Sequence, residues 1–222
     1  MTRRDILLFA AGLAATATGI MAGPGGSLLD RFHATYGSLR TVRCSFRSAQ
    51  GINGTITARR GGSYRITVPD RTIVSDATSV WSATTSARTV IINRYRATSG
   101  DLSLEKIFFE IMTIYRGSVL TQSKRGGGTV RLEPPASNAV IAGVSRADVD
   151  LDPSLKVTAV TVTVNGSTQT FRISGLALNP KVSDAEFTYR PPKGWETIDK
   201  KKKKKRQDRS PASCRFRRDL AS

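Results

Sequence analysis

The stretch GSYRITVPDRTIVSDATSVWSATTSARTVIINRY, residues Gly62–Tyr95, decides the fold. Tyr64, Ile66 and Val68 alternate with Arg65 and Thr67, the period of two expected of a strand with one apolar and one wet face. Pro69-Asp70 breaks that run, and three further β-rich runs follow, Arg71–Ser75, Ser79–Ala83 and Thr89–Asn93, each bounded by turn-forming residues. Such a succession predicts an antiparallel meander.

Working outward on the amino-terminal side, Ser27 to Tyr36 predicts a first helix, with Ser27 as N-cap, Leu28, Leu29 and Phe32 on one face and Gly37 placed to end it. Val42, Cys44 and Phe46 then alternate with Arg43, Ser45 and Arg47. Gly51 and Asn53-Gly54 mark turns, and Gly54 to Arg60 forms the strand that leads into the meander. On the carboxyl-terminal side the period changes. Leu102 to Arg116, capped by Asp101 or Ser103, sets Leu104, Ile107, Phe108, Ile111, Met112 and Tyr115 at helical spacing. Phe109 and Ile114 fall outside that stripe, so this helix is apolar almost all round and either is deeply buried or covers something greasy.

Lys124 to Gly128 is a basic, glycine-rich turn, too short and wrongly ordered for a phosphate-binding P-loop. Strands resume with Val130 and Leu132, with Val149 and Leu151 before an Asp-Pro-Ser turn, and with the valine/threonine alternation from Lys156 to Val164. Asn165-Gly166 is a strong type I′ hairpin signal, and Thr168 to Ser174 carries the returning strand.

The formal charge of +18 suggests a nucleic-acid binder until it is located along the chain. Residues 200–222 hold eleven Lys and Arg against two Asp, a net +9, so half of the charge sits in one terminal run. Six consecutive lysines repel one another and bury no apolar area, so this tail is expected to be disordered, with anionic lipid headgroups or nucleic acid as its conceivable partners. Residues 1–22 read as an export signal: Arg3-Arg4, the apolar Ile6–Ala17, then small residues for cleavage after Ala17 or Ala22. The paired arginines fit a twin-arginine signal or an ordinary basic leader equally well. No Leu-x-Gly-Cys lipobox lies near the cleavage region, so the mature protein is expected to carry no lipid of its own.

Catalytic constellations are scarce. Cys44 and Cys214 make neither a disulfide framework nor a metal cluster, although a bond between them is conceivable in an oxidising compartment. His33 is the single histidine, and no paired carboxylates or nucleophile-base pair stand out, so no cofactor, metal or enzymatic activity is expected.

Three blocks together resemble the LolA family of bacterial outer-membrane lipoprotein carriers. The first is Phe46, Gln50, Gly54, Ile56 and Arg60 ahead of the aromatic strand; the second is Pro69-Asp70, Ile73-Val74-Ser75-Asp76 and Trp81; the third is Phe187 to Asp199, FTYRPPKGWETID. The likeness runs from about Leu28 to Asp199. It implies a mostly β (α+β) domain over 23–199, in which a curved antiparallel sheet forms an incomplete barrel and helices act as a lid over the concave apolar face. It further implies a monomeric periplasmic carrier that shelters the acyl chains of lipoproteins, is loaded by an inner-membrane ATP-driven transporter and delivers to an outer-membrane acceptor or membrane.

The family's lid latch, a strand arginine that bonds the lid in the closed form, maps to Arg60, and its following aromatic to Tyr64. The strand register makes Tyr64, Ile66 and Val68 inward, with Trp81 nearby and Phe108, Ile111 and Met112 facing from the lid. Taken singly each is ordinary core; the resemblance turns the set into an acyl-chain cavity. Three departures stand out: Ala77 replaces the glycine after Ser-Asp, Gly61 replaces the proline after the latch, and Arg59 is an adjacent competitor. A lipid- or lipoprotein-sensing module of the same fold is the alternative, and a basic-tail nucleic-acid or membrane-surface binder is the second.

Overall fold

The computed structural model describes residues 26–97 and 103–201. The export segment, the tail beyond Lys201 and Cys214 lie outside the described residues.

The described residues form one sheet of twelve strands: β1 (Thr41–Ser48), β2 (Asn53–Arg59), β3 (Ser63–Val68), β4 (Arg71–Asp76), β5 (Ser79–Thr84), β6 (Thr89–Arg94), β7 (Arg116–Gln122), β8 (Gly128–Glu133), β9 (Val144–Leu151), β10 (Val157–Val164), β11 (Ser167–Leu178) and β12 (Glu196–Asp199). Their order is β12-β6-β5-β4-β3-β2-β1-β11-β10-β9-β8-β7. Neighbours are antiparallel except β12, which pairs with β6 in parallel. The two end strands, β12 and β7, do not meet, so the sheet is open. The fold is thus mostly β, with few short helices, as the LolA-like pattern implied.

Two helical pieces lie on one face. The first, α1 (Leu28–Gly37), begins with a capping box: the Asp30 backbone N–H donates to Ser27 Oγ at 3.1 Å, and the Ser27 backbone N–H donates to Asp30 Oδ2 at 3.1 Å. Leu28, Phe32 and Tyr36, each four residues apart, are its buried stripe. Tyr36 Oη donates to the Leu155 carbonyl at 2.8 Å and accepts from the Val157 N–H at 3.2 Å, which ties α1 to the turn between β9 and β10. The second piece, 104–114, is continuous but mixed: α-helical at Leu104–Lys106, π-helical at Ile107–Ile111 and α-helical again at Met112–Ile114. Ser103 caps its start. It ends at Ile114, two residues short of the expected Arg116, because Tyr115 turns extended and its hydroxyl donates to the Val144 carbonyl at 2.6 Å.

Because residues opposite each other in an antiparallel pair share a face, the register sorts the sheet into two sides. Val42, Cys44 and Phe46 oppose Ala58, Ile56 and Gly54, which in turn lead to Tyr64, Ile66 and Val68. With the helices and the buried valines of β8–β10, this side forms one apolar cluster. Cys44 is a free thiol within it, and burial pushes its pKa up to about 12. The other side carries a smaller apolar group, Val74, Ala83, Val90 and Phe187. Phe187 belongs to a 3-10 turn, Asp184–Phe187, in the segment that crosses β3 and β4 before β12.

Three cations on β1–β3 hold that segment down. Arg59 Nη1 meets Asp184 at 2.6 Å while its guanidinium stacks 5.0 Å from the Phe187 ring centroid. Arg43 reaches Glu186 at 2.7 Å, and Arg65 donates to the Glu186 and Thr188 carbonyls at 2.8 and 3.0 Å. The Phe187-to-Asp199 block is therefore a strap across the outer face that ends as the strand protecting the edge of β6.

The Ser-Asp turn shows why a glycine suits it. Asp76 Oδ1 accepts from the Thr78 and Ser79 N–H groups at 2.8 and 2.7 Å, and the residue between is forced to φ 67°. Ala77 occupies that left-handed position, where a Cβ is unfavourable. Ala77→Gly is expected to stabilise the fold by about 0.5–1 kcal/mol, read as a raised midpoint in thermal or denaturant unfolding. A lowered midpoint would remove strain at this turn from the account.

Candidate functional site

Arg59, the last residue of β2, and Arg60 just after it point to opposite faces. Arg59 goes out to Asp184, and Arg60 goes in to the helices. Arg60 Nε donates to the Leu39 carbonyl at 2.9 Å, Nη2 to the Gly37 carbonyl at 3.2 Å and Nη1, more weakly, to the Phe109 carbonyl at 3.4 Å. Its guanidinium lies 5.5 Å from the Phe109 ring centroid. One side chain at the end of a strand thus touches both helical pieces, meeting the carboxyl-terminal carbonyl of α1 where a cation is favoured.

The turn after Arg60 is made by Gly61 and Gly62 at φ 101° and 95°. Proline, fixed near −65°, cannot sit at Gly61 in this geometry, so that departure belongs to a different turn shape. Gly62 also receives Tyr95: a Cβ there would lie within 2.4 Å of the Tyr95 ring.

The helical piece 104–114 differs from a vacant roof. Ile107, Phe108, Ile111 and Met112 have no exposed surface, and Phe109 is 4 % exposed. Phe108, Ile111 and Met112 sit in the same cluster as Val42, Ile56 and Ala58, so the space beneath the helices is filled by the protein's own side chains. This corrects the expectation of an open cavity at those positions. The physical reason is that an apolar helix over an apolar sheet gains about 1.5–3 kcal/mol for each side chain buried, and nothing holds it off.

Beyond the helices the inner face is less covered. Tyr64, Ile66 and Val68 are half-buried at the margin of the cluster. The register continues their face through Ile73 on β4, Val80 on β5 and Ile91 on β6, all half-buried. These three were absent from the sequence set; only the parity of each turn reveals their side. Trp81 is corrected to the opposite face, where it pairs with Val74 and Ile92.

Two carboxylates mark the other flank of the helical piece. Glu105 is 3 % exposed, beside Lys106 at 5 %. Burial first, and then the charge of Glu110, push the Glu105 carboxyl up to about 7, against the lowering pull of Lys106 and Ser103. Burial also raises Glu110, and Tyr95 is raised by burial and then by both carboxylates. Because the folded state keeps a proton that the unfolded state releases, stability falls as pH rises from 4.5 to about 7 and stays reduced above it. Glu105→Gln is expected to raise stability at pH 8 by roughly 3 kcal/mol and to leave it unchanged below pH 4.5. Equal unfolding midpoints of variant and parent at pH 8 would contradict this.

Among the described residues no group of three His, Cys, Asp or Glu gathers to hold a metal, and no helix is long and apolar enough to cross a membrane. What the site offers is apolar surface and a cationic tie.

The family model described as outer membrane lipoprotein carrier protein LolA matches residues 40–190. The chain belongs to the LolA family. Solved structures similar to it include an uncharacterized conserved protein from Thermus thermophilus, at 10 % identity over 78 % of this chain and 96 % of that one, TM-score 0.49. A domain described as outer-membrane lipoprotein-sorting from Vibrio parahaemolyticus is 12 % identical over 72 % and 94 %, TM-score 0.39. The lipoprotein LppX of Mycobacterium tuberculosis is 12 % identical over 70 % and 97 %, TM-score 0.38. No curated protein matches the chain in sequence. Membership in the LolA family places the chain in a lipoprotein-carrier fold.

Proposed function

We propose that this LolA-family chain is a periplasmic carrier that takes acylated lipoproteins from the inner membrane and delivers them toward the outer membrane. In this reading the described conformation is the closed, unloaded form. The observation that carries it is Arg60, whose three carbonyl partners tie both helical pieces over the apolar face. Loading displaces the helical piece 104–114, and the acyl chains take over the surface it covered, together with Tyr64, Ile66 and Val68.

The energies permit the exchange. Uncovering Ile107, Phe108, Phe109, Ile111 and Met112 costs on the order of 10 kcal/mol, while each acyl methylene removed from water returns about 0.8 kcal/mol. About a dozen methylenes, less than one ordinary chain, offset the opening. The lid residues act as a stand-in for lipid, which keeps the empty carrier from exposing a sticky face and keeps loaded cargo releasable. Loading by an ATP-driven inner-membrane transporter and delivery to an outer-membrane acceptor complete the proposal.

Incubating the protein with membranes bearing labelled, acylated lipoprotein tests it. The reading expects labelled lipoprotein in the soluble fraction at one copy per carrier and none when the lipoprotein is unacylated. Equal recovery of both forms would favour the nucleic-acid- or surface-binding alternatives, in which the acyl chains play no part.

A further inference from the structure

The outer face of the sheet holds a groove that the carrier reading does not use. It has a volume of about 630 Å³ and crosses four neighbouring strands, β11, β1, β2 and β3. The register defines its walls. One is the row Ser174, Ser45, Thr55 and Thr67, in which each residue opposes the next. The other is the row Arg172, Arg47 and Asn53, closed at its end by Pro69. The floor between the rows is the backbone of Ile173, Phe46, Gly54 and Val68, whose side chains turn to the inner face.

Arg47 and Arg172 are direct cross-strand partners, and two like charges opposite one another are unfavourable. On this face Arg43 is engaged by Glu186, Arg59 by Asp184, Arg65 by two carbonyls and Arg131 by Asp148, whereas Arg47 and Arg172 stand together at the groove. Among the described residues neither Arg47 nor Arg172 has a hydrogen-bond or ion-pair partner, and the four hydroxyls opposite them make none through their side chains. Both guanidiniums are exposed. A wall of paired guanidiniums facing a wall of free hydroxyls is the donor set that oxyanions take.

We infer that this groove binds a phosphate-bearing ligand, with the phosphate oxygens between Arg47 and Arg172 and the hydroxyl row completing their hydrogen bonds. The groove is roughly 15 Å long across its four strands, from the ordinary strand spacing, so it admits a phosphate together with the small molecule or lipid headgroup that bears it. Its aromatic neighbour Phe46 points inward, which leaves no stacking platform for the bases of a single-stranded nucleic acid. The site is on the face opposite the acyl-chain surface and does not depend on it.

The test is titration of the full chain with a water-soluble short-chain phosphatidylglycerol, with inorganic phosphate and with a ten-residue thymidine oligonucleotide. Three proteins are compared: the parent, Arg47→Ser/Arg172→Ser, and Lys203→Ser/Lys204→Ser, which removes the same charge from the tail. The groove variant is expected to bind phosphatidylglycerol at least tenfold more weakly and the tail variant within twofold of the parent. Matching losses with inorganic phosphate would mark a free phosphate as the ligand, and losses confined to the phospholipid a headgroup; both support the site. Equal weakening in the two variants, no weakening in the groove variant, or tighter groove-dependent binding of the oligonucleotide would overturn it. Unfolding midpoints guard against a folding defect, and at low salt the groove variant should melt no lower than the parent, since a like-charge pair has been removed.

Discussion

Arg60→Leu is expected to loosen the helical cover while leaving the sheet intact. The substitution removes three donors to the Leu39, Gly37 and Phe109 carbonyls and the cation over the Phe109 ring. Hydrogen bonds to charged groups contribute about 1.5–3 kcal/mol each when well made. One of these is long and the arginine is partly in water, so about 2–3 kcal/mol in total is the fair figure. That corresponds to a roughly 30- to 150-fold rise in local opening of residues 104–115. Amide hydrogen exchange reads it: protection should fall across Leu104 to Tyr115 and hold at Val149, Val160 and Val162. In a membrane-transfer assay the same variant should lose transfer, because a lid that does not re-form leaves cargo with nothing to displace it. Unchanged exchange at the helical piece together with unchanged transfer would reduce Arg60 to a surface charge.

Phe108→Ala separates a lid residue from a core residue. Phe108 has no exposed surface, and truncation of such a side chain costs about 3–5 kcal/mol through lost burial and the cavity left behind. A purely structural Phe108 would do nothing more. A Phe108 that occupies the place of an acyl chain predicts a second effect of opposite sign: the closed form now competes less well, and binding of a fluorescent fatty-acyl probe should tighten at least tenfold. A fall in both stability and acyl affinity would place Phe108 in the permanent core and move the acyl surface elsewhere.

The meander was legible because alternation and turn residues coincide in Gly62–Tyr95: the observed strands Ser63–Val68, Arg71–Asp76, Ser79–Thr84 and Thr89–Arg94 differ from the expected runs by no more than one residue at any end. The Asn165-Gly166 hairpin likewise follows from local chemistry, with φ of 48° and 81° at the two positions. What sequence period does not carry is which face a later strand presents. Tyr64 opposes Ser75, and Ser75 opposes Val80, so Trp81 falls outward. One residue more or fewer in the Asp76–Thr78 turn would have brought it in.

The helical piece departs at one residue, its six stripe residues all being buried. Helical spacing marks a stripe, but the π-helical stretch Ile107–Ile111 shifts which side chains share a side, and Phe109, off the stripe, becomes the ring beneath Arg60. Arg60 itself was legible only through family resemblance. Nothing local distinguishes it from Arg59; the alternation of the strand sends one guanidinium to the strap and the other to the helices.

The central claim is that lipid occupies the inner face beside the displaced helices. Site-specific photo-crosslinking tests it most directly, with the photoreactive side chain placed at Ile66 on the inner face or at Trp81 on the outer one, and acylated lipoprotein supplied from membranes. The account predicts an acyl-dependent crosslink from Ile66 and none from Trp81. Capture from Trp81 with silence at Ile66, in protein that retains its unfolding midpoint, would contradict it.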